Sequence, residues 1–98
     1  MSVYLIADIK IHDSEIYSEY IRLARSLVLA HGGCYRVQGG EPDPVSNWSP
    51  ERIVMIEFPT MDSLQACFGS EQYKSIAPLR ERSTTSRAII VRGCEEEE

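Results

Sequence analysis

The chain has 98 residues, 43% hydrophobic and 26% charged: enough for one globular domain, too few for a two-domain enzyme, a doubly wound nucleotide fold or a TIM barrel. Its net charge of −5 is concentrated at one end, because four of the fifteen acids are the run Glu95 to Glu98 and the rest is nearly neutral. A neutral body offers no electrostatic footprint for nucleic acid or an anionic membrane.

From Ser2 to His12 residues alternate, with Val3, Leu5, Ala7, Ile9 and Ile11 on one side and Tyr4, Ile6, Asp8 and Lys10 on the other. That period of two predicts a strand with one wholly apolar face. Asp13 then offers an N-cap, and Ile16, Tyr17, Tyr20, Ile21, Ala24, Leu27 and Val28 repeat at three and four, so a helix is predicted to about His31. Gly32 and Gly33 end it. Cys34 to Gln38 reads as a second strand, Glu41 to Pro50 as a long proline-bearing loop, and Arg52 to Phe58 as a third strand. Thr60 caps a helix over Met61 to Phe68, and Ser70-Glu71 opens another that Pro78 is expected to kink or restart. Arg87 to Arg92 is the last strand. The order predicts a ferredoxin-like α+β domain over residues 2–94, a four-stranded antiparallel sheet with its helices on one face. Residues 95–98 are expected to be a frayed acidic tail.

Cys34, Cys67 and Cys94 are odd in number and scattered, which argues against a disulfide framework and fits a cytoplasmic location. The N-terminal stretch has no basic leader, and no apolar run is long enough to span a bilayer. His31 and Cys34 lack the companions a metal site needs, so no metal and no cofactor is expected.

The predicted sheet has a second face. With Val54, Ile56, Phe58, Ile89 and Val91 assigned beneath the helices, the other side takes Tyr4, Ile6, Asp8, Cys34, Arg36, Gln38, Ile53, Met55, Glu57, Ala88 and Ile90. This set is too apolar for water and too polar for a dry core. A homodimer whose two sheets face each other, burying on the order of 2,000 Å² or more, resolves the conflict. Within it Arg36 is a candidate anion clamp, Tyr4 and Asp8 are orienting groups, and Glu57 or His31 is a candidate base. The competing role for these ions is a network that only fixes assembly, since structural ion pairs imitate active sites. For His31 the competing role is to meet the last free carbonyls of its helix.

The runs Asp13-Ser-Glu-Ile-Tyr17, Tyr20, His31-Gly-Gly, Trp48-Ser-Pro-Glu-Arg52, Glu57-Phe58-Pro59, Ser70-Glu-Gln-Tyr73 and Leu79-Arg80, in this order and spacing, resemble the bacterial family called domain of unknown function 1330. The resemblance spans about Tyr4 to Gly93 and implies a protomer of a dimeric α+β barrel, a superfamily with cofactor-free monooxygenases, isomerases and proteins of no demonstrated activity. This chain departs from the pattern at Gln38, where the family has Arg, at Val45-Ser46, where an acidic-Gly pair is usual, and at Cys67-Phe68 in place of an aromatic pair. Arg36, two residues before Gln38, is expected on the same strand face as a substitute. Trp48 is a candidate lid or a loop anchor. Gln38 and Arg52 join the candidate ligand-binding set, as do Tyr73 and Arg80, which share a helix face only if the helix survives Pro78. The expectation is a cytoplasmic homodimer holding a small acidic organic molecule, with catalysis left open; the alternative is a non-catalytic dimeric module. Nucleic acid and membrane are not expected partners.

Overall fold

A computed structural model describes residues 1–94; the acidic tail 95–98 lies outside the described residues. The elements run β1 (Val3–Ile11), α1 (Ser14–Ala30), β2 (Cys34–Gly40), β3 (Ile53–Phe58), α2 (Met61–Phe68), α3 (Glu71–Ser83) and β4 (Thr84–Arg92). Each helix begins where a short polar side chain accepts a backbone N–H: Asp13 from Ile16, Thr60 from Ser63 and Ser70 from Tyr73. After α1 the chain turns at Gly32, whose φ of 82° is a conformation that residues with a Cβ resist.

The strands form one antiparallel sheet in the order β2-β3-β1-β4, and the chain has the expected ferredoxin-like α+β fold. All three helices lie on one side, where Val3, Ala7, Ile9, Val54, Ile56 and Phe58 meet Tyr17, Tyr20, Ala24 and Val28 of α1 and Leu64, Cys67, Tyr73 and Ile76 of α2 and α3. Burial pushes the Cys67 thiol up to about 11, so it behaves as a small core hydrophobe. No helix among the described residues is long and apolar enough to cross a membrane.

Three expectations are corrected. First, α3 runs through Pro78 without a break. The ring costs the helix one N–H, but the carbonyl it releases belongs to the exposed Lys74, where water can satisfy it. Second, β4 starts at Thr84 and has the opposite phase from that expected. Leu5 pairs with Ile90 and Ala7 with Ala88, placing Ala88 and Ile90 on the helix side, while Ile6 pairs with Ile89 and Tyr4 with Val91 on the open side. Third, an irregularity between Tyr35 and Val37 shifts the pairing of β2, so that Val37 faces Met55 and Gln38 faces Val54. Gln38 therefore lies on the helix side and accepts from Arg25 of α1, while Arg36 reaches Glu57 on the open side. The two do not share a face, and Arg36 cannot stand in for an arginine at position 38.

Candidate functional site

The predicted site residues fall into separate groups. On the open face Arg36 Nε donates to Glu57 Oε1 at 2.8 Å, and the Ser2 hydroxyl donates to the other carboxylate oxygen. Those bonds, Ser2 first and Arg36 second, hold the Glu57 carboxyl below its usual range. Tyr4 sits opposite Glu57 in the sheet register. Further along β1 on the same face, Asp8 Oδ2 accepts both Trp48 Nε1 at 3.3 Å and Arg87 Nε at 3.2 Å. Trp48 thus ties the loop between β2 and β3 to the open face. An open hollow of about 300 Å³ lies between Trp48, Ile6, Ile53 and Ile89.

His31 is elsewhere. It closes α1, its backbone N–H donating to Leu27 and Val28 and its Nδ1 donating to the Leu27 carbonyl at 2.9 Å. Glu57 and His31 border none of the cavities described here. Arg52 is also apart: its guanidinium lies 5.8 Å over the Tyr17 ring and packs against Gly39, and its Nε is buried without a hydrogen-bond partner.

The best-formed cavity, of about 290 Å³, lies beneath the helices. Leu5, Ala7 and Ile9 of β1 and Val54 and Ile56 of β3 form its floor, Ile21 and Ala24 of α1 and Phe68 of α2 its apolar walls, and Ser86 to Ala88 of β4 its rim. Its polar end is built by two helices. Tyr20 of α1 and Tyr73 of α3 share a hydroxyl–hydroxyl hydrogen bond of 2.7 Å, and Arg80 Nη1 donates to the Tyr73 oxygen at 2.8 Å. Because α3 survives Pro78, Tyr73 and Arg80 stand on one face seven residues apart. Phe68 packs edge-on against the Tyr73 ring at 4.9 Å and Tyr20 at 6.2 Å, which fixes where the hydroxyl points. Tyr17 and Tyr35 complete the aromatic lining, with Arg25 5.4 Å over the Tyr35 ring.

The hydroxyls of Tyr20 and Tyr35 stay protonated. Burial raises Tyr20 far above the ordinary phenol range, with Tyr73 adding to the effect, and burial likewise pushes Tyr35 up to about 12. Of the residues lining this cavity, the sequence put forward Tyr73 and Arg80 as ligand-binding candidates and did not put forward Tyr17, Tyr20 or Tyr35. The available signal was that Tyr17 and Tyr20 fall on the apolar stripe of α1, where a buried hydroxyl needs a partner. Among the described residues no group of three or more His, Cys, Asp or Glu side chains is placed to hold a metal.

Several solved structures share the fold. A protein of unknown function from Rhodopseudomonas palustris superposes with a TM-score of 0.82 at 14% identity, covering 96% of this chain and 83% of that one. SnoaB, a cofactor-independent oxygenase from Streptomyces nogalater, does so at 0.70 and 7% identity over 96% and 94%. An ethyl tert-butyl ether (EthD) family protein from Bacillus halodurans follows at 0.61 and 17% over 96% and 100%. At such identities the likeness establishes fold alone, the ferredoxin-like α+β fold. No curated protein sequence matches the chain. The profile of one family matches residues 2–94, almost the whole of the domain, and the chain belongs to that family, the domain of unknown function DUF1330.

Proposed function

We propose that this protein is a cytoplasmic homodimer that holds a small organic molecule in the cavity beneath its helices. The observation that carries the reading is the cavity itself: an apolar floor and walls, about 290 Å³ of space, and one polar end formed by Tyr20, Tyr73 and Arg80. Concave, mostly apolar space with a few convergent polar groups is the usual form of a ligand site. The unpaired cysteines Cys34, Cys67 and Cys94 agree with a reducing compartment.

The open sheet face has a different task. Ile6, Ile53, Met55, Ile89 and Val91 present apolar surface there, and its ions are already matched, Arg36 with Glu57 and Arg87 with Asp8. Paired ions within an apolar surface suit contact with a second copy, so the network serves assembly and Arg36 gives no ground for a ligand at that place. The lining of the helix-side cavity includes no carboxylate or imidazole, and Glu57 and His31 do not reach it. Binding is therefore its first task, and a cofactor-independent conversion would draw on the acidity of the bound molecule.

Calorimetric titration of the full chain with 2-naphthol tests the reading. One molecule is expected to bind per chain, and Ala24→Leu, which fills part of the cavity, is expected to weaken binding at least tenfold while the protein stays folded. Undiminished affinity in the variant would place binding elsewhere and overturn the assignment.

A further inference from the structure

The hydrogen bonds at the polar end of the cavity can be counted, and the count specifies what they leave over. Arg80 has no acceptor and Tyr73 takes its N–H. Tyr20 and Tyr73 together own two hydroxyl hydrogens, and only one lies in the bond between them. If Tyr73 donates to Tyr20, the Tyr20 hydrogen is left; if Tyr20 donates to Tyr73, the Tyr73 oxygen accepts twice and its own hydrogen is left. In either order one O–H remains without a protein acceptor in these bonds, and both tyrosines line the cavity.

The rest of the lining has the same polarity. Tyr17, Tyr35 and Ser86 add hydroxyls, Arg80 adds positive charge, and among the described residues no lining side chain carries a negative one. Glu81 and Asp8 are not among its lining: Glu81 lies 3.6 Å from the Arg80 guanidinium, and Asp8 accepts Trp48 and Arg87 on the opposite face of the sheet. The Arg80 side chain is 34% exposed, so its charge is only partly screened by water. An ammonium group inside would lose its hydration and meet only like charge. An oxygen anion would gain a charge-assisted hydrogen bond and the unused O–H.

We propose that the cavity selects compact apolar molecules bearing one acceptor oxygen, a carboxylate or an ionised hydroxyl, seated against Tyr20, Tyr73 and Arg80, and that it rejects amines of the same shape. This deepens the ligand-site reading and rests on it. A cavity of about 150 Å³ admits benzene, so the larger space here suits a two-ring frame.

The test uses two probes of one shape, 2-naphthoate and 2-naphthylmethylammonium, titrated calorimetrically into the full chain. Naphthoate is expected to bind at least tenfold more tightly than the amine. Arg80→Gln is expected to abolish that preference, through loss of naphthoate affinity and some gain of amine affinity as the like charge goes, and Tyr73→Phe to reduce it several-fold through loss of naphthoate affinity alone. Thermal melts confirm that each variant is folded, and should Arg80→Gln fail to fold, Tyr73→Phe alone decides. Equal affinity for the two probes, or a preference that survives in the folded variants, overturns the selection while leaving the cavity a ligand site. If neither probe nor 2-naphthol binds, the ligand-site reading fails and the selection falls with it.

Discussion

Glu57 illustrates how a residue's partners decide its chemistry. As a candidate base it would need an affinity for protons near that of its substrate, yet the Ser2 hydroxyl and the Arg36 guanidinium hold its carboxyl below the usual range. It is an anion paired with Arg36. A carboxyl whose proton affinity drops on folding adds stability above its unfolded pKa, here about 4.5, and that contribution disappears as pH falls through the lower folded value. Glu57→Gln is accordingly expected to lower the melting temperature slightly at pH 7, the pair being open to water on the Arg36 side, and the gap should close as pH falls below the ordinary carboxylate range. Melts across that range check it; a gap that persists in acid would mean that the carboxylate's charge is not what counts. Tyr20 shows the reverse case, a role hidden in the sequence. A tyrosine on an apolar helical stripe reads as core, and its partner Tyr73 is 53 residues away, so only the folded chain brings the two hydroxyls together.

At the level of elements, most of the architecture was legible because periodicity and caps act locally. Five of the seven elements follow from alternation in β1 and β3, the three-and-four repeat of α1, and the capping residues Asp13, Thr60 and Ser70. The phase of β4 was not legible. Ala88, Ile89, Ile90 and Val91 are all apolar, so nothing in the run distinguishes the two sides, and pairing with β1 decides. The irregularity in β2 was equally silent, since no residue type announces it, and it carries Gln38 away from Arg36. At the end of that strand Gly39 has a φ of 77°, and a Cβ there would run into the Arg52 guanidinium. Gly39→Ala is therefore expected to destabilise the protein by about 1–2 kcal/mol from the left-handed backbone alone, and by more if Arg52 must leave Tyr17. Urea unfolding measures it; a loss under about 0.5 kcal/mol would show that the turn relaxes freely.

For the molecule as a whole, the two faces of the sheet differ: one bounds a cavity, and the other presents the apolar surface proposed to meet a second copy. Ile89 tests the second half, because it is 60% exposed on the open face and contributes little to the lone subunit's core. The parent chain is expected to sediment as a dimer at micromolar concentration and Ile89→Glu as a folded monomer, since a charge carried into a dry contact is costly. A variant that remains dimeric would place the contact elsewhere. Beside this face runs β4, at the margin of the sheet, with Ile89, Ile90 and Val91 all exposed and only Arg87 and Arg92 carrying charge. A bare strand of that kind will accept almost any extended peptide as a neighbour. The consequence is a standing liability: a flank with so little charge invites strand-to-strand clumping.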